Sequence, residues 1–185
     1  LGSNALSFVL DNREAIAPGA PIVFGGFSEI GLQTALSGRT PPAMSGVVST
    51  IDVQETLDLA LQVQPNAPEI VVIAGSANFD RQWRSAFTDT VGSSYKGVPV
   101  RVLPEMSADA FLAEAQSLSP SAIVVVLTVN LDAEGRRFLP VQFSEVLAAA
   151  SPAPVWTFYE TQIGLGTVGG SVENLAATGG EMGKM

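Results

Sequence analysis

The stretch 68–80, which begins Pro-Glu-Ile-Val-Val-Ile-Ala, constrains the fold more than any other part of this sequence. Residues 70–74 are apolar throughout and lack the polar alternation of a strand with one face in water. Gly75, Ser76 and Asn78 then form a short polar turn before a helical pattern begins. We therefore predict that this stretch is the first strand of a parallel sheet, covered on both faces, and the turn into the following helix.

Strand patterns recur along the chain and alternate with helical patterns. Amphipathic spacing is clearest over 53–63, where Leu57 and Leu61 fall on one face, and Pro65 ends that helix. Alternating strands and helices are typical of right-handed crossovers and a parallel sheet. We therefore predict an α/β fold, in which the strand at 70–74 is followed by strands at 98–103, 122–127 and 154–158.

The first 51 residues contain less of this pattern. Only two strands are predicted there, at 21–24 and 44–49, which is too few for an independent sheet. Gly25 to Ser28 are predicted to form a loop that closes the first of these strands. We expect the chain to begin inside a domain, with earlier elements of that domain missing from this sequence.

Composition and charge exclude several classes of protein. The 185 residues carry 9 basic and 18 acidic side chains, a formal net charge of -9, which argues against nucleic acid or an anionic membrane as the main partner. The absence of Cys and His excludes disulfides, thiolate metal sites and a Ser-His-Asp triad within this chain. We expect no metal, no cofactor and no catalytic residue, and membrane contact only through segments outside this sequence.

Polar side chains follow the predicted strands at their carboxyl ends, which is where parallel α/β sheets bind ligands. They are rich in hydroxyl and amide groups and are interleaved with aromatic rings. Such a mixture suits an uncharged or zwitterionic small molecule held by hydrogen bonds and stacking. The candidate ligand-binding residues are Ser3, Asn4, Gly26, Phe27, Thr50, Ser76, Asn78, Phe79, Thr128, Asn130, Tyr159 and Glu160.

The sequence leaves a structural interpretation open for each of these residues. Ser, Thr and Asn before a helix commonly serve as caps. Phe79 and Trp83, at helical spacing, fit packing in a core or between lobes as well as contact with a ligand. Glu160 fits a solvated or structural carboxylate as well as one that pairs with a cationic ligand.

Two further motifs fit a structural role better than a cofactor-binding or catalytic role. Gly164, Gly166 and Gly169 match the spacing of a dinucleotide-binding loop, but such a loop should follow the first strand of a βαβ unit, and the acidic residue expected about 20 positions later would fall beyond the given sequence. A strand with hinge glycines is the preferred interpretation. The charged patch at 132–137 fits an ion pair at a solvated helix start better than a catalytic carboxylate pair.

A family resemblance is carried by five segments, at 57–75, 123–128, 154–156, 166–170 and 173–175. They resemble the ABC-transporter substrate-binding-like family, which has the type I periplasmic binding protein fold. Within that family, the segments 132–140 and 149–155 are similar to the extracytoplasmic sensor domains of bacterial sensor histidine kinases. The resemblance covers nearly all of the chain.

This resemblance implies two Rossmann-like lobes with parallel sheets, of which the first is incomplete at its N-terminus. Residues 1–51 would belong to the N-terminal lobe, 52–163 to the C-terminal lobe, and 164–185 to the return crossing and helix of the N-terminal lobe. A ligand would close the cleft between the lobes, with Ser76, Asn78, Thr128 and Tyr159 facing Gly26 and Phe27.

Two functions from different classes follow from the resemblance. In the first, the chain is the periplasmic, extracytoplasmic sensing domain of a membrane-anchored receptor for signal transduction. In the second, it is a solute-binding protein that delivers a small molecule to an ABC transporter. Amino acids and aromatic acids are among the candidate ligands, and a homodimer is left open. An α/β enzyme is a third, weaker interpretation.

Overall fold

The chain forms two compact units in the computed structural model, which describes residues 3–39, 43–49 and 51–185. Unit 1 comprises Leu1–Ile51 and Glu173–Met185, and unit 2 comprises Asp52–Val172. Parallel strands alternate with helices, so the prediction of an α/β fold is confirmed.

Unit 2 is built on a five-stranded sheet. Its strands are β3 (Ile70–Ile73), β4 (Ser94–Tyr95), β5 (Val98–Val102), β6 (Ile123–Val126) and β7 (Val155–Trp156). The strand order is β4-β5-β3-β6-β7, in which β4 is antiparallel to β5 and the other neighbours are parallel. The helices of this unit are α4 (Val53–Val63), α5 (Asn78–Val91), α6 (Ala108–Gln116) and α7 (Pro140–Ala150).

The two central strands explain the apolar runs in the sequence. Every residue of β3 and of β6 is fully buried, and the strands pair in register from Ile70 with Ile123 onward. Phe111 of α6 lies in the core on one face of the sheet, where its ring is 6.2 Å from that of Phe143 in α7. Because both faces are covered, neither strand has a solvent side on which polar residues would alternate.

Helix starts in unit 2 follow from local chemistry. Asp52 accepts a hydrogen bond from the Glu55 amide (2.9 Å) at the start of α4, and Ser107 Oγ accepts one from the Ala110 amide (3.2 Å) at the start of α6. The helix start predicted at the charged patch 132–137 is wrong, because α7 begins at Pro140. Proline favours the first helical position and disfavours helical backbone in the residue before it.

Unit 1 is smaller. Its two parallel strands are β1 (Ile22–Ser28) and β2 (Met44–Ser49), and its helices are α1 (Ser3–Asp11), α2 (Arg13–Ile16), α3 (Glu29–Leu36) and α8 (Leu175–Met182). Leu6, Leu32 and Ala35 form its buried core. Ser49 Oγ donates a hydrogen bond to the Glu173 carboxylate, which ties the end of β2 to the segment before α8.

One prediction about a loop is corrected by the structure. Gly25 to Ser28 are not a loop but continue β1, because a register irregularity between Phe24 and Phe27 lets the strand pass its glycines and keep pairing with β2.

The segment 164–172, predicted to belong to the N-terminal lobe, groups with unit 2. Its contacts explain this, because the Thr157 amide donates to the Gly169 carbonyl (2.9 Å) beside β7.

No helix in the described part of the chain is both long enough and apolar enough to cross a bilayer.

Candidate functional site

The carboxyl ends of β3, β6 and β7 bring seven of the predicted residues to one edge of the unit 2 sheet. The three strands are neighbours and run in parallel, so the segments that follow them leave the sheet at the same edge. Ser76, Asn78 and Phe79 follow β3, Thr128 and Asn130 follow β6, and Tyr159 and Glu160 follow β7. We call this edge the carboxyl edge of unit 2.

Asp80 is the centre of the hydrogen bonding at this edge. Its carboxylate is fully buried and accepts hydrogen bonds from the hydroxyl of Thr128 (2.7 Å), the side-chain amide of Asn130 (2.6 Å) and the backbone amide of Asn130 (3.0 Å). The amide of Ala77 also donates to it (3.1 Å), at the start of α5. The carboxylate therefore joins the segment after β6 to the first turn of α5.

These bonds assign Thr128 and Asn130 a structural role. Each donates to Asp80, so their positions are fixed from inside the protein, whether or not a ligand contacts them. Asp80 is not among the residues that the sequence predicts for this site. Its place in the first turn of α5 was a signal of helix capping, but nothing local indicated a partner 48 residues away.

Gly75 explains how the two connecting segments approach so closely. A Cβ atom at this position would lie 2.6 Å from the Leu131 carbonyl oxygen and 3.0 Å from Val129 Cα. The Gly75 amide donates to the Thr128 carbonyl (2.8 Å), and the Ser76 amide donates to the Leu131 carbonyl (2.7 Å). The turn after β3 therefore packs backbone against backbone on the segment after β6, which only glycine permits.

Ser76 and Asn78 occupy different environments at the start of α5. Ser76 is 5% exposed, and among the described residues its hydroxyl makes no hydrogen bond of normal geometry. It lies close enough to Glu105 to help lower the pKa of that carboxyl. Asn78 is exposed, and Ala77, which precedes it at the N-cap, has no side chain that could accept from the first-turn amides. The start of α5 thus combines an exposed amide with a buried hydroxyl.

A charged cluster lies beside the same turn. Arg81 donates two parallel hydrogen bonds to Glu105, of 2.7 and 2.8 Å, and Arg84 donates to the carbonyls of Ala74 (2.6 Å) and Gly75 (3.1 Å). The pKa of Glu105 is lowered to about 2, and the hydrogen bonds from Arg81 are the largest cause. Glu105 is therefore anionic at neutral pH and already paired with arginine.

Aromatic side chains lie at the end of β7. Trp83 of α5 is nearly buried, and its ring centroid is 5.4 Å from that of Phe158. Its Nε1 donates a hydrogen bond to the Tyr159 hydroxyl (2.9 Å). Tyr159, Phe79 and Glu160 are half-buried, and Glu160 begins a 3-10 turn, Glu160–Gln162. The buried position of Trp83 agrees with its interpretation as a packing residue.

The remaining predicted residues lie elsewhere. Ser3 and Asn4 are in α1, and Gly26 and Phe27 are in β1, so all four belong to unit 1. Thr50 lies outside the described residues. The structure therefore brings together, within one unit, only the candidates that follow β3, β6 and β7.

The charged patch at 132–137 is organised around a second buried carboxylate. Asp132 accepts from the backbone amides of Ala108 (3.0 Å) and Arg136 (2.9 Å) and from Arg136 Nε (2.9 Å). Burial raises the pKa of Asp132, but these donors outweigh it and hold the pKa at about 2. The ion pair predicted here is present, and it fixes a loop against the start of α6 instead of starting a helix.

The glycines from Gly164 to Gly170 do not form a dinucleotide-binding loop. Gly169 forms a bridge with Trp156, and the next helix begins only at Leu175, in unit 1. A dinucleotide fingerprint requires a helix directly after its glycines, so that the helix N-terminus meets the pyrophosphate. This segment is instead a turn that returns alongside β7.

Within the described ranges, no group of three or more acidic residues could hold a metal ion. Neither a scan against protein-family models nor a search of curated proteins finds a match to this chain.

Proposed function

We propose that this chain is the small-molecule-sensing domain of a bacterial signal-transduction protein of the sensor histidine kinase type, with its ligand bound at the carboxyl edge of unit 2. The domain would bind its ligand without transforming it and would act outside the cytoplasm. The observation that carries the proposal is the set of hydroxyl, amide and aromatic groups at this edge. The buried Asp80 carboxylate positions Thr128 and Asn130, and Trp83 holds the Tyr159 hydroxyl. The sequence resemblance adds the signalling context.

The chemistry of the edge supports a small ligand that carries a carboxylate and an apolar or aromatic part. Asn78 is exposed at the first position of α5, where uncapped backbone amides favour an acceptor such as a carboxylate. The half-buried rings of Phe79 and Tyr159 provide surface for stacking. Glu105 is neutralised by Arg81, so it offers little to a free cation. These features favour amino acids and aromatic acids over cationic ligands.

A thermal-shift screen tests this proposal. The chain is screened against amino acids, aromatic acids, sugars and purines, and we expect one class to raise the melting temperature with dose. A ligand at 100 times its dissociation constant that binds only the folded state adds about 2.7 kcal/mol, which corresponds to a shift of several degrees.

Variants on α5 locate the effect. We expect Asn78→Ala to abolish most of the shift, because the exposed amide at the helix start is lost. Ser85→Ala, an exposed position on the same helix, is the matched control and should retain the full shift. A shift that survives Asn78→Ala unchanged, or no shift with any class, would contradict binding at this edge.

A solute-binding protein of an ABC transporter is the second candidate, because it would use the same edge for the same ligand. Reconstitution of the full-length protein separates the two functions. The sensor proposal expects the ligand found in the screen to change the autophosphorylation rate of an attached kinase. Ligand-dependent uptake through a transporter, with no change in phosphorylation, would favour the second candidate.

A further inference from the structure

The two oxygens of the Asp80 carboxylate bind different kinds of donor. Oδ2 accepts from the backbone amides of Ala77 (3.1 Å) and Asn130 (3.0 Å). Oδ1 accepts from two side chains, the hydroxyl of Thr128 (2.7 Å) and the Nδ2 group of Asn130 (2.6 Å). A backbone amide can only donate, whereas a hydroxyl or a side-chain amide can donate or accept. The bonds to Oδ1 can therefore be reversed in direction, and those to Oδ2 cannot.

The carboxylate decides which end of the Asn130 side chain faces inward. A carboxylate has only acceptor oxygens, so it binds the NH2 end of an amide and not the carbonyl end. Asp80 therefore holds Nδ2 of Asn130 toward itself, and Oδ1 of Asn130 is directed away. No described residue donates to this oxygen. In the described ranges only Ser76 Oγ and Arg84 Nε are buried without a partner, so the Asn130 oxygen reaches the surface of the unit.

This surface oxygen lies beside the start of α5. Ala77 and Asn130 donate their backbone amides to the same oxygen of Asp80, so the segment after β6 lies against the first turn of the helix. The first-turn amides of α5 have no side-chain cap and favour a carboxylate. The edge therefore offers donors at α5 and an acceptor at Asn130, which require opposite groups on a ligand.

We propose that Asp80 is a positioning residue that fixes the hydrogen-bonding polarity of the carboxyl edge. Asn130 then presents its carbonyl oxygen alone, and the ligand must bring an N–H or O–H donor to it as well as a carboxylate to α5. A ligand without that donor would displace water from the oxygen and leave it unpaired. This inference rests on the proposed small-molecule site and narrows its ligand class, because amino acids and hydroxy acids carry both groups and simple aromatic acids do not.

Asp80→Asn reverses this polarity without changing the shape of the side chain. The new amide must keep its oxygen toward the backbone amides of Ala77 and Asn130, which can only donate. Its NH2 group then faces the side chains of Thr128 and Asn130. The Thr128 hydroxyl can turn to accept, and the Asn130 amide can rotate so that its oxygen faces inward and its NH2 group faces outward. Every group remains paired, so we expect the variant to fold.

Hydrogen exchange of the Asn130 NH2 group measures this orientation without a ligand. In the wild type we expect its exchange to be at least about tenfold slower than that of Asn66, an exposed asparagine of the same unit. In Asp80→Asn the group faces outward and should exchange about as fast as that of Asn66. Asp89→Asn makes the same chemical change at an exposed position of α5 and should leave the exchange of Asn130 as in the wild type.

Probes that differ in one donor measure the consequence for binding. L-Phenylalanine, L-tryptophan and L-leucine are compared with hydrocinnamate, indolepropionate and isocaproate, which lack the ammonium group, by the amide signals of Ser76 and Asn78. In the wild type and in Asp89→Asn, we expect the ammonium compound of a pair to bind at least about tenfold tighter. In Asp80→Asn this preference should disappear or reverse, because the outward NH2 group of Asn130 cannot accept from ammonium. Lost stability alone would weaken both members of a pair equally.

The outcomes separate this inference from the proposed site. Equal binding of both members of a pair at the edge of the wild type would overturn the inference and support the site. A preference that Asp80→Asn leaves unchanged would also overturn it, as would an Asn130 NH2 group that exchanges as fast as that of Asn66 in the wild type. If none of the six compounds moves the signals at the edge, the proposed site itself is contradicted, and this inference fails with it.

Discussion

Replacing Asp80 with alanine is expected to lower the free energy of unfolding of unit 2 by about 3–4 kcal/mol. The carboxylate is fully buried, and its removal leaves the hydroxyl of Thr128 and the amides of Asn130 and Ala77 without their acceptor. Each buried donor left unpaired costs about 1–3 kcal/mol, and local relaxation keeps the total below the full sum.

Tryptophan fluorescence during urea unfolding measures this effect. The chain has two tryptophans, Trp83 and Trp156, and both lie in unit 2, so the signal reports that unit. Asp89→Ala is the control, because Asp89 is an exposed carboxylate on the same helix, and its loss should cost less than about 0.5 kcal/mol. If Asp80→Ala costs less than about 1 kcal/mol, the carboxylate does not hold the edge together.

Phe111→Ala is expected to cost about 3–5 kcal/mol in the same measurement. The ring is fully buried in the core between the sheet and helices α6 and α7, and it lies edge-on against Phe143 at 6.2 Å. Alanine would remove these contacts and leave a cavity that the surrounding strands cannot fill by shifting.

Leu139→Ala provides the comparison for Phe111. Leu139 is 60% exposed and belongs to the same unit, so we expect a change of less than about 0.5 kcal/mol. If the two variants lose similar amounts of unfolding free energy, Phe111 does not lie in the core of unit 2.

The sheet of unit 2 could be predicted from the sequence because its central strands have a strong local signature. The fully buried runs at 70–73 and 123–126 contain no polar residue, and few other structures accommodate such runs between helical patterns. The unit 1 strand at Gly25 and Gly26 could not be predicted, because adjacent glycines favour a turn. Pairing with β2 across a register irregularity, a non-local effect, keeps these residues in the strand.

The candidate site could be predicted in outline but not in its organisation. Ser76, Thr128 and Tyr159 can be predicted because they follow strands, and the parallel arrangement of β3, β6 and β7 brings them to one edge. The role of Asp80 depends on donors about 50 residues away, which no local pattern encodes. For the same reason, the bond between Trp83 and Tyr159 appears only in the folded chain.

The most direct test of the central claim is an amide chemical-shift titration of the nitrogen-15-labelled chain with pools of amino acids and aromatic acids. If a small molecule binds at the carboxyl edge of unit 2, one pool will move the amide signals of Ser76, Asn78 and Thr128, and Asn78→Ala will suppress the change. If no pool moves these signals, or if the shifts are confined to unit 1, the proposed site is wrong.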